Sequence, residues 1–134
     1  MTVTSFPKSE IKVLLLEGIH PVAHEAFAAE GFAVEGLSKS LPEAELAERL
    51  RDVHVLGIRS KPQVTPASLV EARRLLTIGA FCIGTNQIAL RDANLHGVPV
   101  FNAPFSNTRS VAELIIAEIV MLSRHVGDRS REVH

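Results

Sequence analysis

The 134 residues contain no tryptophan, no tyrosine and a single cysteine, Cys82. One cysteine excludes a disulfide framework and a cysteine-built metal site. The missing Trp and Tyr leave little to stack on a flavin. No GxGxxG or GxxxxGK[ST] occurs, so no phosphate cradle for a dinucleotide or a nucleoside triphosphate is evident. GxSxG is missing as well, and no Ser–His–acid set stands out. Histidines 20, 24, 54, 96, 125 and 134 show no metal-ligand spacing. His20 and His24 are four apart, but Pro21 between them marks a helix start, which favours two surface residues over two ligands. Net charge is −1 without a basic block or acidic tail, so neither nucleic acid nor a membrane surface has electrostatic support as a partner. The opening MTVTSFPKSE has no basic start and no apolar stretch, and residues 111–122 are too short to span a bilayer. A cytoplasmic setting is the expectation.

Apolar residues, at 46%, are sufficient for a core in one domain's length of chain. They fall into runs at 11–16, 32–37, 53–58, 75–83 and 98–101, whose starts lie 21, 21, 22 and 23 residues apart. Each gap holds helix signals. Pro21 opens 24–30, with Gly31 as its stop. Ser40 and Glu43 match a capping box before AELAERLRD. Thr65-Pro66 precedes ASLVEARR, and residues 86–95 form a shorter piece closed by His96-Gly97. Near-continuous apolar strands alternating with short helices predict an α/β fold. Its core is a doubly wound parallel five-stranded sheet, covered on both faces, with right-handed crossovers.

A sixth element follows. Ser110 and Glu113 fit another capping box, and from 111 to 122 only Glu113 and Glu118 are charged. Val111, Leu114, Ile115, Ile119 and Leu122 suffice for one buried face, yet Ile116, Val120 and Met121 occupy the other side. Leaving those three in water forfeits about 5–9 kcal/mol, comparable with a whole domain's stability of about 5–15. The helix is therefore expected to bury two faces, the second against a partner or another copy.

In open parallel sheets, ligands bind beyond the carboxyl ends of the strands. That rule selects residues 17–20, 38–40, 59–62, 84–87 and 102–109. Arg59, Ser60 and Lys61 offer a guanidinium, a hydroxyl, an ammonium and free backbone N–H groups, a set that suits a carboxylate or phosphate. A solvated turn would look the same. Gly84-Thr85-Asn86-Gln87 reads as a close backbone approach with two amides, or as a helix cap. Asn102, Ser106, Asn107, Thr108 and Arg109 precede a helix N-terminus, which favours anions, or simply lead into a cap at Ser110.

Four stretches, LLLEGIH, GIRSKPQVT, IGAFCIGTNQIAL and GVPVFNAPFSNTRSVAELIIAEI, resemble the NAD-dependent D-2-hydroxyacid dehydrogenases from residue 11 to about 126. The last two are long enough to point to one branch of that family, the branch acting on 3-phospho-D-glycerate. The resemblance implies a flavodoxin-like substrate domain over 1–105. It makes 106–134 an interdomain loop and apolar crossing helix. The Rossmann nucleotide-binding domain, packed against that helix, is not contained in this chain. It implies oxidation of 3-phospho-D-glycerate to 3-phosphohydroxypyruvate with NAD, the first step towards serine, in a homo-oligomeric enzyme. Carried over by position, it makes Arg59, Ser60 and Asn107 substrate contacts. Lys61 stands where relatives often have arginine, keeping the charge and losing the bidentate fork. The family's catalytic histidine, glutamate and arginine have no counterpart here, so no catalytic residue and no NAD binding are expected of this chain alone. Another D-2-hydroxyacid dehydrogenase is the alternative. A signalling receiver is further off, having only Glu17 where clustered carboxylates would be needed, and so is an FMN carrier, since EGIHP is no phosphate loop.

Overall fold

Residues 6–133 are described by the computed structural model; the first five residues of the stretch searched for a signal, and His134, lie outside them. Five strands form one sheet: β1 (Lys12–Leu15), β2 (Ala33–Gly36), β3 (Val55–Ile58), β4 (Thr77–Ala80) and β5 (Val100–Asn102). All pairings are parallel, in the order β2-β1-β3-β4-β5. This is the flavodoxin-like doubly wound order. Each expected apolar run holds one strand, except that β5 continues one residue past its run to Asn102.

Between the strands lie α1 (Pro21–Ala29), α2 (Glu43–Leu50), α3 (Pro66–Glu71) and α4 (Leu90–Leu95). Period-two alternation sends Leu14 and Leu16, Leu56 and Ile58, and Ile78 and Ala80 to one face. There they join Leu46 and Leu50 of α2, Leu69 of α3 and Ala93 of α4 in the main core. The second face is thinner: Val13, Leu15 and Ile19 pack with Ala23 and Phe27 of α1 and with Phe32, Val34 and Val55. Gly57 carries the ring of Phe81 so closely that a β-carbon there would lie 3.1 Å from the ring and 2.5 Å from Leu15. Phe81 and Phe101 on this face remain 41% and 65% exposed. The expectation of full cover on both faces therefore fails beyond β3. Val13, Leu15 and Val55 are shielded by α1 and its neighbours, and among the described residues of this unit Phe101 does not join that cluster.

Local signals held unevenly. Thr65 caps α3, its hydroxyl accepting from the Ser68 N–H at 3.2 Å. The Ser40–Glu43 capping box does not form. Pro42, in an extended conformation, is the N-cap, so Ser40 stands too early, and Glu43 instead accepts from the Thr65 hydroxyl at 2.7 Å. The piece expected at 86–95 is helical only from Leu90. Ahead of it, Asn86 and Gln87 form a turn and buried Ile88 pairs with Val64 in a parallel bridge, a conformation incompatible with a helix. His20 caps α1 by accepting from the Val22 N–H, whereas His24 is half-buried with its ring against Gly36.

The chain divides into two compact units, Met1–Pro104 and Phe105–His134. The second holds α5 (Thr108–Ser123) and α6 (Val126–Val133), joined through His125 at φ 52°. The Ser110–Glu113 capping box is also not formed. The helix starts at Thr108 after Asn107, which places Ser110 inside its first turn, and Glu113 accepts from Arg109 at 2.7 Å. Nor does α5 bury a face. Val111, Leu114, Ile115, Ile116, Ile119, Val120, Met121 and Leu122 are all 48–76% exposed. Within its own unit neither side of the helix is covered, where only one was expected to need a partner.

At the opposite end of the strands from the candidate loops, His54 is buried, and its Nδ1 accepts from the Lys12 N–H at 3.1 Å. That bond requires the proton on Nε2, the neutral form. Burial holds the imidazole below its ordinary pKa, with help from Arg74 and Lys12 against an opposing Asp52. A histidine with a depressed folded pKa stabilises the fold above its unfolded value, and this is lost as pH falls through the folded one. The urea midpoint should therefore drop as pH falls below about 6.5, the ordinary imidazole value. His54→Asn keeps an acceptor near Nδ1 and removes the titration, so its midpoint should fall less. Equal slopes for the two proteins would show that His54 is not the group responsible.

Candidate anion-binding site

The loops after β1, β2 and β3 enclose an open cleft of about 450 Å³ lined by Glu17, Ser38, Lys39, Ser40, Arg59, Ser60 and Lys61. The strands' shared direction brings these residues together. The Leu16 N–H donates to Gly57 O at 2.9 Å, and Glu17 and Gly18 donate to Lys39 O and Leu37 O at 3.3 and 3.0 Å. Arg59, Ser60 and Lys61, expected as one set, do line one wall.

Their backbone does not have the role expected of it. The Glu17 carboxylate accepts the N–H of Arg59 at 2.7 Å and that of Lys61 at 3.2 Å. Those N–H groups are not free for an anion. Of the three, only the Ser60 N–H has no protein acceptor among the described residues. Glu17 reaches them from a left-handed conformation at φ 60°, followed by Gly18 at φ 59°. For a glutamate this backbone costs about 1 kcal/mol or more, which the two charge-assisted bonds offset. Glu17 is thus a structural anion. What the cleft offers an anion is chiefly side-chain charge: Arg59, Lys61 and Lys39 are three cations against one carboxylate already in use, with Ser60 as a hydroxyl donor. None of those cations makes an ion pair among the described residues.

A second brace holds Arg59 from the other side. Gln87 is only 3% exposed, and its Nε2 donates to Arg59 O at 2.7 Å and to Gly84 O at 3.2 Å. Cys82 Sγ lies 3.5 and 3.2 Å from the same two carbonyls. The N-cap of α4 is Ala89, without a side-chain bond, so neither Thr85 nor Asn86 caps that helix. Asn102 belongs to β5, and its amide donates to Ile83 O at 2.8 Å, a structural tie. Asn107 stands in the second unit as the N-cap of α5, without a side-chain capping bond. Glu17, Lys39 and Gln87 lie in loops that the sequence did select, but their roles were not legible there, since each contact joins loops about twenty or more positions apart. Among the described residues, no group of three His, Cys, Asp or Glu is placed to hold a metal ion. No helix among them is long and apolar enough to cross a membrane.

Residues 13–123 match the model of the D-isomer specific 2-hydroxyacid dehydrogenase, catalytic domain. The chain belongs to that family. The D-3-phosphoglycerate dehydrogenase of Dictyostelium discoideum is 61% identical over 131 residues, covering 98% of this chain and 32% of that protein. The Escherichia coli protein of the same name is 45% identical, covering 100% and 33%. This 2-hydroxyacid dehydrogenase chain therefore spans about a third of the length of the curated relatives it matches. Among solved structures, NAD+-bound 3-phosphoglycerate dehydrogenase of Entamoeba histolytica superposes with a TM-score of 0.72 at 20% identity, covering 84% of this chain and 38% of that one. A protein from Thermus thermophilus reaches 0.80 at 23%, covering 90% and 39%. These likenesses support the fold.

Removing the Glu17 carboxylate should loosen the cleft wall. In Glu17→Ala the amide protons of Arg59 and Lys61 are expected to exchange faster, with those of β3 unchanged. Global stability should fall by at least about 1.5–3 kcal/mol, the net worth of one hydrogen bond to a charged group, since the carboxylate makes two. Unaltered exchange at both amides would show that the carboxylate is not what holds the loop.

Proposed function

We propose that this chain is the substrate-holding portion of a D-3-phosphoglycerate dehydrogenase. That enzyme oxidises 3-phospho-D-glycerate to 3-phosphohydroxypyruvate on the way to L-serine, in the cytoplasm. One observation carries the reading: three unpaired cations, Arg59, Lys61 and Lys39, share a cleft with the Ser60 hydroxyl at the carboxyl ends of β1–β3. The substrate carries two anionic groups, a carboxylate and a phosphate. Arg59 suits either through its planar fork, while a lysine acts as a point charge. Identity of 61% to a relative of that name supports the choice of substrate over other 2-hydroxyacids. By the motif it occupies, Asn107 is assigned as a further substrate contact.

In the complete enzyme, NAD takes the hydride from the carbon bearing the hydroxyl. No residue of this chain is assigned to NAD. The sequence has no glycine fingerprint to cradle a dinucleotide pyrophosphate. The part played here is to bind and orient the acid, so that binding energy converts into alignment at the reacting carbon.

In an enzyme carrying this segment, Arg59→Ala should lower kcat/KM for 3-phosphoglycerate by about 10- to 150-fold. That is the equivalent of a charge-assisted bond of about 1.5–3 kcal/mol. The KM for NAD should hardly move. An unchanged efficiency would reduce Arg59 to a surface turn. Equal activity on glycerate lacking the phosphate would favour another 2-hydroxyacid substrate.

The bare faces of α5 belong to the same reading. We assign them to contacts with a nucleotide-binding domain and with a second subunit of a homo-oligomer. Presented alone, the chain should self-associate through α5, since a two-fold pairing covers the same apolar surface on both copies. Sedimentation should find a dimer or larger species. Ile116→Lys combined with Val120→Glu should yield a monomer with the same α/β circular dichroism. A monomeric unmodified chain at tens of micromolar would overturn this assignment.

A further inference from the structure

We propose that Gln87 is the positioning residue for Arg59: a buried amide that fixes the arginine's carbonyl from beneath while Glu17 fixes its N–H from the cleft side. The inference rests on the reading of Arg59 as a substrate contact and adds what makes that contact rigid.

The argument begins with an amide where an apolar side chain would be expected. Gln87 is flanked by Ile88, which is buried in the main core. Burying an amide without partners costs about 1–3 kcal/mol by protein mutational measures, whereas a methionine or leucine would carry no such cost. The cost on the donor side is met by two carbonyl acceptors, with Cys82 Sγ at 3.4 Å as a weaker third contact. Arg59 O and Gly84 O accept from no backbone N–H among the described residues, because each ends a strand-to-loop transition where the sheet ladder has stopped. Two carbonyls on one side of the glutamine, at 2.7 and 3.2 Å, require its nitrogen there, and its two hydrogens match them. The Cys82 thiol, near both carbonyls, is too weak a donor to replace it.

Gln87 is itself anchored. Its carbonyl accepts from the Val64 N–H at 2.9 Å, and Ala89 N–H returns to Val64 O at 2.9 Å. One small bridge, Val64 with Ile88, thus sets the height at which the amide meets Arg59. The peptide groups on both sides of the Arg59 Cα are held, one through Glu17 and one through Gln87. The exposed guanidinium then has only its own side-chain torsions to lose on meeting an anion. A residue fixed on both sides binds with less ordering cost than one on a loose loop.

The test uses the 134-residue chain, with 3-phosphoglycerate as the probe and amide NMR shifts at 59–61 as the readout. Gln87→Met keeps the unbranched outline and removes the donors. Order parameters at Ser60 and Lys61 should fall from a rigid value near 0.85 towards about 0.6, with those of the strands unchanged. Binding should weaken roughly 3- to 10-fold, the worth of one hydrogen bond. The same substitution in an Arg59→Ala background should change affinity little, because a residue acting through Arg59 has nothing left to position. A merely structural role would weaken both backgrounds alike, and that result overturns the proposal, as does an unaltered loop. If Gln87→Met does not fold, Gln87→Asn, which keeps the amide but shortens its reach, takes its place under the same criteria. Failure of the unmodified chain to bind 3-phosphoglycerate at millimolar concentration would overturn the functional reading instead, and the order parameters would still decide the brace.

Discussion

Parallel pairing of β1, β3 and β4 is the constraint from which the rest of the molecule follows. It aligns Leu14 with Leu56 and Ile78 in one row. Because side chains alternate, the same register that buries this row also fixes what the neighbouring positions face. It further requires all five strands to end at the same side, so that Glu17, Lys39 and Arg59 meet although they are about twenty residues apart in sequence. Core and cleft are consequences of one register. A one-residue slip would turn the main-core leucines outward and scatter the cations.

The two faces of the sheet are built differently. Below α2, α3 and α4, leucine and isoleucine fill the space in a continuous cluster. On the other face the row Leu15, Gly57, Gly79 and Phe101 loses side-chain bulk in its middle, and the Phe81 ring lies over the gap. With α1 shielding only one end, Phe81 and Phe101 keep much of their surface in water. The second unit, taken by itself, leaves the apolar residues of α5 uncovered as well. Exposed apolar surface on this scale is unusual for a monomer. For a chain about a third as long as its relatives, such surface is consistent with further structure in those proteins.

Within the cleft, electrostatics and geometry are divided between different residues. A carboxylate would oppose an anionic ligand, and Glu17 lines the same cleft as the three cations. Its contacts resolve the conflict. By accepting the Arg59 and Lys61 N–H groups it ties the turn after β3 to the loop after β1, and the three cations still outnumber it. Gln87 completes the arrangement with neutral donors where a second charge would be costly to bury. Rigid backbone and mobile side-chain charge are thus supplied by separate groups.

The spacing of apolar runs, 21 to 23 residues from one start to the next, determined that this chain would form a parallel α/β sheet. The reason is physical: strand and helix periods are local, and a chain of near-continuous apolar strands has few ways to bury them. The motif GIRSKPQVT likewise pointed to Arg59, Ser60 and Lys61 as neighbours, since adjacency along the chain is adjacency in space. Capping signals were less dependable. Ser40 and Ser110 both satisfy the capping pattern, yet Pro42 and Asn107 start the helices, because where a helix begins depends on how the preceding loop leaves the sheet. Two further points were decided only by tertiary structure. One is that the loop's N–H groups belong to Glu17, 42 and 44 residues away. The other is that a glutamine 28 residues downstream holds Arg59 by its carbonyl. Contacts across such separations leave no periodic trace in sequence, for they arise from strand order and register, which no single segment carries.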